Sequence, residues 1–186
     1  MKRCAIFVMA VFALAWISGQ SLGGGEGTEV TLDGLKSRAP AAWKAQKPAS
    51  KLRAYQFLLP RVEGDPADAE LAIFFFGAGG GGGVDDNIKR WKSQFQPPEG
   101  KTADEAAKVE KLTVGKVAVT YLDVQGTYLF KPPFDPNAKA KALPDYRRFG
   151  IIFASENGPY FITLTGPAKT MAHHKKDFDN WLKAFK

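Results

Sequence analysis

The segment Leu71-Ala72-Ile73-Phe74-Phe75-Phe76 is apolar at every position. A strand with one wet face alternates apolar and polar residues, so an unbroken apolar run points to a central strand covered on both sides. Gly77 and then Gly79 to Gly83 end the run. Beyond them the period changes. Val84, Ile88, Trp91 and Phe95 are spaced by four, three and four residues, which places them on one face of a helix over Val84 to Phe95. Asp85 or Asp86 is the expected N-cap of that helix, and Pro97-Pro98 stops it.

Upstream of this pair, Leu52 to Leu59 is strand-like and is separated from the central strand by the turn-rich Pro60 to Asp68. Val30 to Leu35 is a short apolar segment, and the Ala39-Pro40 and Trp43 region reads as a loop or broken strand. Downstream, Val109 to Val114, Lys116 to Gln125 and Thr127 to Phe130 are rich in β-branched and aromatic residues. Gly115 marks a turn between them and Gly126 a bulge. Lys131 to Asp145, with Pro132, Pro133, Pro136 and Pro144, is expected to leave regular structure. Arg147 to Ser155 and Tyr160 to Thr165 form a hairpin around Glu156-Asn157-Gly158-Pro159. A last helix starts near Pro167 and carries Met171, His174, Phe178, Trp181, Leu182 and Phe185 on one face. The expected fold class is α+β: a single, mainly antiparallel β-sheet flanked by helices on both faces.

The N-terminus has the order of a secretory signal peptide, with Lys2 and Arg3, then the apolar run Cys4 to Ile17, then the small and polar Ser18 to Ser21. That apolar run is about 14 residues, against about 20 needed for a membrane span. The expected organisation is a signal peptide over residues 1–21, a flexible glycine-rich tether over 22–28, and one α+β domain over 29–186. This predicts a secreted or periplasmic protein with no stable membrane span after cleavage. Cys4 precedes the apolar run and is the only cysteine, so the mature chain has no disulfide, thiolate nucleophile or cysteine ligand.

Removing Lys2 and Arg3 from the 26 basic side chains leaves 24 against 19 acidic ones, a formal charge of +5. The charges fall in mixed-sign clusters such as Asp104 to Lys111, without the basic stripe of a nucleic-acid binder. His173 and His174 are the only histidines; adjacent on a helix, they do not converge on one metal. No catalytic residue, metal ligand or cofactor is assigned.

The glycine run before a helix invites comparison with a phosphate loop, which requires Gly-Lys-Ser/Thr at the helix start. This chain has Gly83-Val84-Asp85-Asp86, with two carboxylates where a phosphate would sit. The run therefore reads as a strand-to-helix turn, with closure over a neutral or cationic ligand as its first functional alternative and anion binding as its second. On the alternative, the candidate binding residues are Gly79, Gly80, Gly81, Gly82, Gly83, Asn87 and Arg90.

At Phe74-Phe75-Phe76-Gly77, the glycine run, Asn87-Ile88 with Arg90-Trp91 one residue further on, Gln94-Phe95, Gly126-Thr127-Tyr128 and Leu164-Thr165-Gly166-Pro167, the chain resembles a group of exported bacterial proteins of uncharacterised function. The likeness runs from about Thr28 to the C-terminus. The order of strands and helices also resembles the PsbP-type α/β/α sandwich, shared by a photosystem II extrinsic subunit and a Ran-binding nuclear-transport factor. The resemblance implies architecture and transfers no site. With two irregular segments on a well-specified scaffold, the expected function is a non-enzymatic cell-envelope module that binds an envelope protein or small ligand. The alternative is a hydrolase or other enzyme using Asp or Glu carboxylates.

Overall fold

A computed structural model of the chain describes residues 26–132 and 138–186. The segment read as a signal peptide and most of the segment read as a glycine-rich tether lie outside the described residues, as does the middle of the proline-rich excursion.

The first element is a hairpin of β1 (Glu29–Leu32) and β2 (Leu35–Arg38). Its two-residue turn, Asp33-Gly34, has φ of 49° and 83°, the positive pair that a type I′ turn requires. The sequence reading of Val30 to Leu35 as a single apolar segment is corrected here, because the chain reverses inside it.

The main sheet contains β3 (Lys44–Ala45), β4 (Arg53–Leu59), β5 (Ala69–Phe75), β6 (Phe95–Gln96), β7 (Ala107–Val114), β8 (Val117–Phe130), β9 (Lys141–Ser155) and β10 (Gly158–Pro167). Its order is β3-β4-β5-β10-β9-β8-β6, with β7 also pairing β8. All pairings are antiparallel. The run read as a central strand is β5, flanked by β4 and β10. Helix α1 (Val84–Ser93) lies on one face and helix α2 (Ala168–Lys183) on the other.

The larger core lies between the sheet and α2. There Phe57, Leu71, Ile73, Phe149, Ile151, Phe153 and Ile162 meet Met171, Phe178, Trp181 and Phe185. Every residue assigned in advance to the apolar face of the last helix is buried. The β1-β2 hairpin closes the far end of this core: Ser37 Oγ donates to the Trp181 carbonyl at 2.7 Å, and the backbones of Lys36 and Lys186 pair at 3.0 and 3.3 Å. The smaller core lies beneath α1 and contains Trp91, Phe95, Leu122, Val124, Ile152 and Phe161.

Three boundaries differ from the sequence reading. The α1 N-cap is Gly83, without a side-chain cap bond, because the helix begins at Val84; this moves Asp85 and Asp86 into the first turn, where they face the positive end of the helix dipole. The helix ends at Ser93, and Phe95 belongs to β6, paired with Tyr128. The irregular excursion is shorter than Lys131 to Asp145, because β8 and β9 pair out to Phe130 and Lys141. Pro144 is accommodated at a register shift between Gly126 and Tyr128, beside Asp145 with φ of 56°. A bulge leaves residues out of the ladder, which is where a strand tolerates proline. The expected irregularity at Gly126 is thus observed. A Cβ there would stand 2.3 Å from the Gln96 carbonyl oxygen, so β6 crosses only over glycine.

Candidate functional site

Two glycines determine where α1 sits. A Cβ at Gly150 of β9 would stand 2.5 Å from Cε3 of Trp91, so the bare backbone forms the seat for the indole ring. A Cβ at Gly81 would stand 2.2 Å from the Phe161 ring, so the glycine run lies directly on the sheet before the helix starts. Asn87, fully buried, fastens that run: its Nδ2 donates to the carbonyls of Gly81 and Gly83 at 2.9 and 2.8 Å. Its Oδ1 accepts a hydrogen bond from Arg90.

Seated in this way, α1 covers only part of its sheet face. Beside it remains an open cleft of about 490 Å³. Arg90, Trp91 and Gln94 line it from the helix side. The sheet contributes Phe74, Phe161, Thr163, Thr165, Tyr146 and Arg148, and the β8-β9 arm contributes Tyr128, Phe130 and Leu143.

Arg148 is 6% exposed. Its Nε donates to Thr165 Oγ1 at 2.8 Å, and Nη1 donates to Gln94 Oε1. Its guanidinium carbon lies 4.8 Å from the Tyr128 ring centre and 5.5 Å from that of Phe95. Burial pulls its pKa below the ordinary arginine value; Tyr128 opposes this and the positive charge of Arg90 adds to it. At the other end of the cleft, Arg53 pairs with Glu70 at 3.0 Å and stacks over Phe74, while Gln56 donates to the second Glu70 oxygen at 3.1 Å.

Of the residues singled out from sequence, Arg90 lines the cleft and Asn87 holds Arg90 and the glycine run together. Gly79 to Gly83 form the strap that leads into α1, with positive φ at Gly79, Gly81 and Gly82. Arg148, Arg53, Gln94 and the aromatic walls were not singled out. Their signal is faint: Tyr146, Arg148, Gly150 and Ile152 share one face of β9, so a charged residue stands in a row that is otherwise buried or half-buried.

His174 is buried on the opposite side of the sheet, with Nε2 2.8 Å from the Pro60 carbonyl oxygen. Among the described residues no group of three or more His, Cys, Asp or Glu could hold a metal ion, and no helix is long and apolar enough to cross a membrane.

No protein-family model matches the chain, and no curated protein matches it in sequence. Among solved structures it is similar to cyanobacterial PsbP (CyanoP) from Synechocystis sp., at 11% identity, over 89% of this chain and 95% of that one, with a TM-score of 0.51. It also aligns with a Pseudomonas aeruginosa protein of unknown function at 16% identity, over 86% and 95% of the two chains, with a TM-score of 0.45. A Bacteroides thetaiotaomicron protein aligns at 13% identity over 87% of this chain and 48% of its own, with a TM-score of 0.44. The likeness to CyanoP is one of fold: the chain has the α+β, PsbP-like architecture of a mainly antiparallel sheet between helices.

Proposed function

We propose that the protein is an exported, non-enzymatic binding module of the cell envelope and that its site is the cleft beside α1. The observation that supports this is the part of the sheet face that α1 leaves open. The opening of about 490 Å³ falls within the size range of small-molecule sites, roughly 300–1,000 Å³, and it combines aromatic walls with a few converging polar groups. Export rests on the basic, apolar and small-residue order of residues 1–21. On this reading the glycine run positions α1, and Arg90 is the member of the sequence-predicted set that meets the ligand.

The test uses the mature chain and a variant that fills the cleft. Thr163 lies on the sheet floor between Ala72 and Gly150 and lines the opening. Mature protein equilibrated with envelope extract of its host, washed and then denatured, should release a small molecule detectable by mass spectrometry. Thr163→Phe should release none while its thermal transition stays cooperative. The same molecule at the same occupancy in both proteins would show that the cleft is not the site.

A further inference from the structure

We infer that the occupant of the cleft is an amphipathic anion, a small carboxylate-like head carried on an apolar body; this rests on the cleft being the binding site. The argument starts from two adjacent arginines on β9 that face opposite sides of the sheet. On the α2 side, Arg147 meets both oxygens of Asp123, at 2.7 Å from Nε and 2.6 Å from Nη2. On the cleft side, Arg148 is more deeply buried, yet its partners among the described residues are the Thr165 hydroxyl, the Gln94 amide oxygen, the Tyr128 side chain and the ring face of Phe95, all neutral. Thr165, Gln94 and the Tyr128 side chain take three of its five N–H groups, and none of them brings a negative charge. A buried cation ordinarily acquires a counter-charge, because the ring contacts recover only part of the lost hydration.

Arg90 adds a second positive charge on the same cleft, with the Asn87 amide oxygen as its hydrogen-bond partner. Neither carboxylate of the lining is bonded to Arg148 or Arg90: Glu70 pairs with Arg53 and accepts from Gln56, and Asp68 accepts from the Arg61 backbone N–H at 2.9 Å. The groove on the α2 side provides the contrast, since there Lys175 is matched by Asp179 at 2.6 Å. The cleft is therefore the place where the buried charge of Arg148, with the exposed charge of Arg90 beside it, is left for an incoming group to neutralise, and a guanidinium fork suits a carboxylate.

The apolar body follows from the rims. Phe76 and Phe130 line the cleft while remaining 40% and 37% exposed, which is unusual for rings of this size, and Phe74 and Tyr128 also line it. An acyl chain or an aromatic ring lying along them would be covered while its head reaches Arg148.

The experiment is calorimetric titration of the mature protein with decanoate, 1-naphthoate, decanol and decyltrimethylammonium. At least one of the two acids should bind tenfold or more tightly than decanol, and the cation should not bind. The preferred acid separates an acyl from an aromatic body. Arg148→Met should bring acid affinity down to that of decanol while the melting temperature holds or rises. Arg90→Gln changes an exposed residue for one whose amide can still donate to Asn87, and should weaken acid binding several-fold with the cooperative melt retained, which keeps the test decisive if Arg148→Met fails to fold. Decanol binding as tightly as the acids, with both lost in Thr163→Phe, would overturn the anionic ligand and leave the cleft standing. Acid affinity unchanged in the arginine variants, or no binding of either acid, would also overturn it. A host molecule retained at full occupancy by Thr163→Phe would remove the cleft reading itself.

Discussion

Gly150→Ala tests the seat of α1, and the cost can be worked from the geometry. The new methyl group would lie 2.5, 2.8 and 3.2 Å from Cε3, Cζ3 and Cδ2 of Trp91, where carbon atoms settle at about 3.5–4.0 Å. The indole must therefore retreat by about 1 Å. It is 5% exposed and sits in the smaller core with Phe95, Leu122 and Ile152, so it has little room to do so. Overpacking of this kind costs roughly 1–3 kcal/mol, and replacing glycine returns about 0.4–1 kcal/mol through the unfolded chain. The net loss is about 0–2.6 kcal/mol with a midpoint of about 1.3 kcal/mol, which is about 3–5 °C in melting temperature for a domain of this length. Urea unfolding followed by circular dichroism should show it in the wild-type background. In a Trp91→Leu background the same Gly150→Ala change should be neutral or stabilising, because the clashing ring is gone. An equal cost in both backgrounds would refute the assignment of Gly150 as the seat, as would a rise in wild-type stability.

Two more predictions concern contacts between distant segments. Asp65 Oδ2 accepts from the Thr170 backbone N–H at 2.8 Å and from its hydroxyl at 2.6 Å, so a residue of the β4-β5 loop caps the first turn of α2. Asp65→Ala should cost about 1–2 kcal/mol, the value of a lost cap, and a thermal melt within 1 °C of wild type would contradict this. Asp33 accepts from the Asn157 backbone and side-chain N–H groups, which ties the β1-β2 turn to the β9-β10 turn. The Asn157 side-chain bond, then its backbone bond, lower the Asp33 pKa from its ordinary 3.8. A depressed folded pKa adds stability that is present above the ordinary value and lost as pH falls through the folded one. Stability measured from pH 6 to pH 2 should therefore fall less steeply in Asp33→Asn, and parallel curves for the two proteins would count against the link.

Particular residues show how far sequence reading reaches. The run Leu71 to Phe76 marks a strand inside the sheet, and Leu71 to Ile73 are covered on both faces as expected; Phe74 and Phe76 instead face the open cleft, and Phe76 lies beyond the end of β5. The last helix is equally plain: the spacing of Met171, His174, Phe178 and Trp181 selects one face, and that face is buried. The Asp33-Gly34 turn is also legible in principle, since Asp-Gly between short apolar runs is a strong hairpin signal, although reading Val30 to Leu35 as one apolar segment hides it. The α2 cap was not legible, because Asp65 and Thr170 are 105 positions apart and neither shows the local spacing of a capping box.

The same division runs through the candidate site. Sequence alone determined the local elements and the faces they bury, because backbone geometry imposes periods of 2 and 3.6 that apolar residues must follow. It also offered Asn87 and Arg90 as candidates, because they stand in the short segment beside the glycine run. Only the tertiary structure decided that Arg90 would share a cleft with Phe76, Phe130 and Arg148. Those residues lie on separate elements brought together by the sheet order β4-β5-β10-β9-β8 and by the seating of Trp91 on Gly150. Register and helix placement are set by collective packing over long separations. A side chain's own neighbours in sequence therefore carry no record of what it will meet across the sheet.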